Sequence, residues 1–267
     1  MISVVKTPTY DPFLTLVQNS SKEVLLCAPY IKLDIVKDIL RFKNPLTKLE
    51  VITSSNIANF VNGSLDIEAI KTLLENGCNV INYQNLHAKI YLFDSIRALI
   101  TSANLTNNGL YHNYEYGVLI ENDEVTTNQI YTDFVAMLDS ELSGALDLKS
   151  ISKIEKLILK LKLKSNSLTK IDYTEDTILP IAENENLSAH FSPWEKDVFN
   201  CLNLINKEVF FLIDIYAFSK ELSKMHPDNK NIEPKIRQIL QHLRDMGFIK
   251  FISPGKYKKL WFIIDRD

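Results

Sequence analysis

Glycine is scarce in this chain: seven in 267 residues, none of them clustered. A phosphate-cradling P-loop and a dinucleotide fingerprint both need grouped glycines, so neither is expected. Cysteine is scarcer still. Cys27, Cys78 and Cys201 stand far apart in apolar surroundings, which fits reduced core residues of a cytoplasmic protein better than a disulfide framework. No Cys/His pair has the spacing of a zinc site. No apolar run reaches membrane-spanning length, and Met1-Ile-Ser-Val-Val-Lys6 lacks the basic start and apolar core of a secretory signal. A strong charge of one sign is also missing. The net charge of −3 argues against a non-specific nucleic-acid coat, but its distribution is uneven. From Trp194 onward 13 Lys+Arg meet 10 Asp+Glu, and the totals of 30 and 33 leave 17 and 23 for the first 193 residues. The C-terminal part is therefore the better candidate for phosphate contacts. With 46% hydrophobic and 24% charged residues, the chain is expected to form two modest soluble domains.

What is present is a spacing. His87-Ala-Lys89-Ile-Tyr-Leu-Phe-Asp94 is followed six residues later by Thr101-Ser102-Ala103-Asn104. His87 and Lys89 are two apart in an apolar run, so on a strand both side chains share one face. Ser102 and Asn104 repeat that arrangement at the end of the next run. If the two strands pair, an imidazole, an ammonium, a hydroxyl and an amide converge. Such a pocket suits a phosphodiester: Lys89 and Asn104 hold nonbridging oxygens while His87 attacks phosphorus. In isolation each residue has a plainer role, as a core histidine, an edge-strand lysine or a turn cap; their coincidence favours the chemical one. Asp94 ends the strand, where a turn hydrogen bond or an ion pair would shape the site. Glu115 either orients the His87 imidazole or is a surface residue between two exposed tyrosines.

These residues resemble the signature of the phospholipase D superfamily, with Thr101-Ser102 in place of the usual Gly-Ser. Leu105-Thr-Asn-Asn-Gly109-Leu110 and Asn113-Tyr-Glu115-Tyr-Gly117-Val118 resemble the segment after the signature in its nuclease branch. Asn113 is accordingly placed as a structural residue near the site. The resemblance implies a dimer, because members with one His-x-Lys motif bring two copies together, and none of His112, His190, His226 and His242 has a lysine two residues on. It also implies a phosphohistidine on His87, with no metal and no cofactor. His87 of the second subunit would act as acid and then as base, and the pair would titrate as a unit.

Strand and helix patterns alternate through residues 24–142: strands at Val24–Tyr30, Leu49–Thr53, Asn79–Tyr83, Ala88–Phe93, Ala98–Thr101 and Gly117–Ile120, with helices at Leu33–Phe42, Leu65–Leu74 and Val125–Leu142. This predicts an α/β domain with a mixed sheet over residues 1–142. Residues 143–192 read as a helix followed by a polar linker. The helix, Ile151–Lys164, carries a stripe of Lys153, Lys156, Lys160 and Lys164 read as a solvated face, opposite an apolar face of Ile154, Leu157, Ile158 and Leu161. Glu175, Asp176, Glu183 and Glu185 of the linker are expected to screen a positive cleft until DNA binds.

Residues 193–267 change pattern again, to helices at Trp194–Ile205, Ile213–Met225 and Ile232–Met246. A hairpin comes next, from Phe248–Ile252 through Ser253-Pro254-Gly255 to Tyr257–Ile263. Three helices and a hairpin make a winged helix-turn-helix. Phe211-Leu-Ile-Asp-Ile-Tyr216, His226-Pro227-Asp-Asn229, Lys235 to Gly247 and Gly255-Lys-Tyr257 resemble the C-terminal winged-helix domain of several type II restriction endonucleases. The resemblance implies that Arg237, Gln238 and Gln241 read base edges while Lys235, Lys256 and Lys258 contact phosphates. Pro227-Asp228 with Glu233-Pro-Lys235 mimics a metal-nuclease pattern, but the spacing is too tight and belongs to a helix start. The expected function is a sequence-specific double-stranded DNA endonuclease, homodimeric and independent of membranes. The alternatives are a phosphodiesterase on lipid or other small phosphodiesters and a non-enzymatic DNA-binding regulator.

Overall fold

The computed structural model describes residues 1–165, 179–182 and 191–264. The chain divides into two units, Met1–Ser55 with Asn59–Ile151 and Asn56–Ala58 with Ser152–Asp267. From the N-terminus the elements are β1 (Ile2–Lys6), α1 (Tyr10–Gln18), β2 (Glu23–Cys27), α2 (Leu33–Phe42), β3 (Lys48–Thr53), α3 (Ile57–Val61), α4 (Ile67–Glu75) and β4 (Asn79–Tyr83). Then come β5 (Ile90–Phe93), β6 (Arg97–Thr101), β7 (Tyr116–Glu121), α5 (Glu124–Leu138), β8 (Ser143–Ala145) and α6 (Leu148–Ser165).

Eight strands form one mixed sheet in the order β1-β7-β6-β5-β2-β3-β4-β8. β2, β3 and β4 run parallel, and the other pairings are antiparallel. Val24 to Cys27 of β2 are all buried, as expected where both faces of a sheet are covered. On one face Leu25, Cys27, Ile52, Leu92 and Ala98 pack with Ile130 and Phe134 of α5. On the other, Phe13 of α1 meets the rings of Tyr91 and Phe93 edge-on at 5.3 and 6.1 Å. The expected α/β mixed sheet is present.

β1 and α1 lie outside the sequence expectations. Four of the five β1 residues are exposed, so no alternation marks the strand, and Pro12 falls in the first turn of α1, where it is tolerated but reads as a break. β5 begins at Ile90 rather than Ala88, so His87 and Lys89 precede the strand. The helix expected at Val125–Leu142 stops at Leu138, and Ser143–Ala145 pairs with β4 instead.

The second unit continues with β9 (Leu179–Ala182), α7 (Pro193–Leu204), β10 (Val209–Phe211), α8 (Leu212–Tyr216), α9 (Ser219–Met225), α10 (Ile232–Asp245), β11 (Ile249–Ser253), β12 (Lys256–Lys259) and β13 (Trp261–Ile264). β10, β12 and β11 form a small antiparallel sheet beside the helices, with Gly255 at φ +73° in the wing turn. This is a winged helix. Three expectations need correction. The helix expected at Ile213–Met225 is two short helices, α8 and α9. The second hairpin strand breaks at Leu260, and its remainder, β13, pairs in parallel with β9. The expected linker thus contributes a strand, one too short to show periodicity between polar flanks. Its acidic residues Glu175, Asp176, Glu183 and Glu185 lie outside the described residues.

The lysine stripe also needs correction. Lys153 is 9% exposed and its Nζ donates to Glu195 Oε1 at 2.7 Å and Oε2 at 2.5 Å. Glu195 also accepts from the Ser192 backbone N–H at 2.7 Å and lies 3.6 Å from His242 Nδ1 of α10. One carboxylate therefore ties α6 and the start of α7 to the last turn of α10. Burial opposes its charge, but His242, Lys153 and Ser192 together outweigh burial and hold its carboxyl below the usual carboxylate range. A depressed carboxyl contributes stability that is present above its unfolded value and lost as the pH falls. Both tryptophans, Trp194 and Trp261, lie in this unit, so their emission reports its unfolding. Glu195→Gln is expected to lower the tryptophan-detected Tm at pH 7, by the equivalent of about 3–5 kcal/mol for a broken buried pair. Between pH 5 and 3 the variant should lose stability less steeply than the wild type; parallel acid slopes would contradict this role.

Candidate active site

β5 runs antiparallel to β6, with Ile90 opposite Ile100, and β6 antiparallel to β7, with Thr101 opposite Gly117. The approach to β5, the exit from β6 and the entry to β7 therefore meet at one end of these three strands. Residues 87–89, 102–104 and 113–115 all fall there.

Lys89 is buried at 7% exposure, while His87 beside it is exposed. The Lys89 ammonium donates to the His87 carbonyl oxygen at 2.7 Å and lies 3.4 Å from Nδ1 and 3.5 Å from Nε2 of the imidazole. The Lys89 carbonyl accepts from Thr101 N–H at 3.2 Å, continuing the strand pairing up to the site. Burial lowers the pKa of Lys89 below the ordinary lysine value, against the opposing pull of the Glu115 carboxylate.

Ser102 donates its hydroxyl to Glu115 Oε2 and accepts from Tyr116 N–H at 3.1 Å. Asn113 Nδ2 donates to Glu115 Oε1 at 3.1 Å. Glu115 thus holds Ser102 and Asn113 rather than the imidazole. Its backbone is held as well, its N–H donating to Thr7 Oγ1 at 2.8 Å. Thr7 carries no sequence signal; only the pairing of β1 with β7 brings it here. The Asn104 Oδ1 atom is buried and has no partner among the described residues. Between them the two clusters offer an exposed imidazole, a buried cation, a hydroxyl and an amide whose oxygen is unpaired. That set fits attack on a phosphodiester and stabilisation of the added negative charge. Among the described residues no group of three His, Cys, Asp or Glu is arranged to hold a metal.

Asp94 needs correction: it is not near the site. It sits at the opposite end of β5 from Lys89, roughly 17 Å away for five extended residues. There, at φ +52°, it accepts from the backbone N–H groups of Ser21, Lys22 and Glu23 at 2.7–3.1 Å. Burial opposes its ionisation, but those three donors and Arg97 more than offset it and leave the carboxyl below the ordinary value. Its task is to clamp the entry of β2 to the exit of β5.

In the winged helix, α10 buries Ile236, Ile239, Leu240 and Leu243 and exposes Arg237, Gln238 and Gln241. Arg237 Nη1 donates to Tyr216 Oη at 2.5 Å and Lys235 Nζ to Gln238 Oε1 at 2.7 Å. Lys256 and Lys258 stand on β12, the first 5.7 Å from the Phe211 ring centroid and the second 3.0 Å from Glu208.

Residues 13–138 match the family described as "Cardiolipin synthase, PLD-like domain", and residues 191–259 the one described as "Dam-replacing HTH domain". Among solved structures the chain is similar to Nuc, a phospholipase D family member from Salmonella typhimurium, at 16% identity and TM-score 0.48 over 55% of this chain and 98% of that one. It is also similar to NucT from Helicobacter pylori, at 14% identity and TM-score 0.39 over 52% and 96%. A third is the phosphatidylserine synthase of Haemophilus influenzae Rd KW20, at 16% and 0.45 over 64% and 48%. The first domain is phospholipase D-like. Joined to it is a C-terminal winged helix of the Dam-replacing kind.

The family-like glycines have a steric reason. A Cβ on Gly109 would lie 2.5 Å from the backbone oxygen of Asn104 and 2.8 Å from its nitrogen, and one on Gly117 would lie 2.8 Å from Thr101 Cβ. Gly109→Ala must therefore displace the Asn104 backbone. Hydrolysis of bis(p-nitrophenyl) phosphate should fall on the order of 100-fold for a shift of about 1 Å. Gly77→Ala, which meets open space at φ +74°, should cost about 1–2 kcal/mol of stability and leave that rate unchanged. Equal rates for both variants would contradict the packing argument.

Proposed function

We propose that the chain is a sequence-specific, double-stranded DNA endonuclease of the restriction type. The observation that carries this reading is an exposed imidazole beside a buried ammonium, in one chain with a winged helix. Arg237, Gln238 and Gln241 are proposed to read bases, and Lys235, Lys256 and Lys258 to bind phosphates.

The site residues support a two-step displacement. A ring nitrogen of His87 forms a bond to phosphorus, and the bond to the leaving oxygen breaks as that oxygen takes a proton from His87 of the partner subunit. Water then attacks phosphorus, giving its proton back to that imidazole, and the N–P bond breaks. Lys89, Ser102 and Asn104 stabilise the added charge, and Glu115 positions Ser102. One motif supplies one imidazole, so the acid–base partner comes from a second copy, and a homodimer follows. The imidazole and ammonium groups do the work without a metal or cofactor. One shared site cuts two strands in turn.

The family description of the first domain names a lipid enzyme, which supports a second reading, a phosphodiesterase acting on lipid or another small phosphodiester. Both readings meet the same experiment. In excess EDTA the wild type is expected to cut unmethylated or methylated bacterial DNA into discrete bands through nicked circles, with a bell-shaped pH profile. His87→Ala should lose on the order of 10⁴-fold or more. Cutting only after Mg²⁺ is added would overturn the mechanism. Hydrolysis of phospholipid vesicles without DNA cutting would favour the lipid reading, and tight DNA binding without any hydrolysis would favour a regulator.

A further inference from the structure

Asn104 lines a second feature, a cavity of about 690 Å³ in the first unit. One wall is the segment from Tyr30 into α2, the other the segment Asn104–Asn108 after β6. A parallel bridge between Ile31 and Leu105 joins the walls, with the Lys32 N–H donating to the Leu105 carbonyl at 2.9 Å. Asp66 stiffens the first wall by accepting from Lys32 Nζ at 2.8 Å and from the Leu33 N–H at 3.1 Å.

Several of the other polar groups are unspent. Among the described residues Tyr30, Lys37 and Asn108 have no side-chain hydrogen bond or ion pair, and the Asn104 Oδ1 has no partner. Asp34 accepts from the Ile35 N–H through Oδ1 at 2.9 Å and from the Asn107 amide through Oδ2. Each of its oxygens keeps a further lone pair. The volume lies in the range that buries a small organic ligand, and its lining combines an aromatic ring, a free ammonium, amides and a carboxylate.

We infer that this cavity takes the nucleotide next to the scissile phosphate and reads its base, with guanine preferred. The inference rests on the nuclease reading and names the substrate group that the catalytic domain itself selects. Asn104 belongs to both the cavity and the catalytic cluster, so a phosphate held at Asn104 delivers its own nucleoside here. A carboxylate with two open acceptor positions matches two adjacent N–H donors. Guanine presents such a pair at N1 and N2; adenine and cytosine place an acceptor beside their amine, and thymine has one N–H between two carbonyls. Those donors face the partner strand in a duplex, so the base enters the cavity extruded. Tyr30 supplies a stacking face and Lys37 a cation for the next phosphate.

The test uses the full chain carrying His87→Ala and the four deoxynucleoside 5′-monophosphates, titrated by calorimetry. dGMP is expected to bind about tenfold tighter than the other three, the discrimination worth one bidentate contact. Asp34→Asn should abolish the difference, and Asn107→Ala, which removes the hydrogen bond that orients the carboxylate, should shrink it. Four equal affinities, no binding of any, or a guanine preference that survives Asp34→Asn would overturn the proposal. Plasmid cutting by the wild type is read separately. A chain that cuts DNA yet shows no dGMP preference sinks the cavity reading alone. A dGMP preference without cutting supports the cavity and sinks the nuclease reading.

Discussion

Strand register is the constraint on which the site depends. His87 and Lys89 lie before β5, Ser102 and Asn104 after β6, and Glu115 before β7, so only the antiparallel run β5-β6-β7 makes them neighbours. A slip of one residue would turn every side chain to the opposite face. Gly117 guards the register at the site, because Thr101 presses against the position a Cβ would need. At the far end of β5, Asp94 closes the same strands by collecting three backbone donors from the start of β2. The Asp at the end of the His-x-Lys pattern therefore serves the chemistry at a distance, by holding the frame in which the other two meet.

Much of this is legible in the sequence. The strands from β2 to β7 announce themselves through β-branched and aromatic runs, and α2 through its apolar spacing. The motif residues sit at the ends of those runs, which is why their convergence can be inferred. The elements that escape have no local signature. β1 is exposed along most of its length, and β9 is four residues long inside a polar stretch. Lys153 looks like one of four equivalent lysines on a helix, but only packing against Glu195 makes it a buried partner. The pairing of Glu115 with Ser102 is equally invisible, since a spacing of 13 residues means nothing until β6 and β7 are aligned. The cavity walls, some seventy residues apart in sequence, are joined by one parallel bridge that no periodicity predicts.

The two units use buried charge in opposite ways. In the winged-helix unit Lys153 and Glu195 neutralise each other, and the carboxylate also satisfies the Ser192 N–H. Such a pair is costly to break and insensitive to the molecules that bind outside. In the phospholipase D-like unit Lys89 is just as buried, yet it meets a backbone carbonyl and an exposed imidazole, while the Glu115 carboxylate is bonded to Ser102 and Asn113. Burial lowers the Lys89 pKa, and the Glu115 carboxylate only partly offsets it.

A buried cation without a carboxylate of its own is a standing preference for an anion. Removing Lys89 from water has already been compensated by the folding of the sheet around it, so an arriving phosphate need not reorganise solvent there. Asn104 is prepared for a donor instead: its Oδ1 is buried without a partner and is free to take a hydroxyl or a base N–H. His87 stands differently: it is exposed, as the proposed attack on phosphorus requires, and water reaches it equally well. Charge stabilisation comes prepared in the single chain, whereas exclusion of water from the imidazole does not. That second requirement must be met by whatever covers these strand ends, and in the proposed reaction a nucleic acid together with a second copy of the chain would meet it.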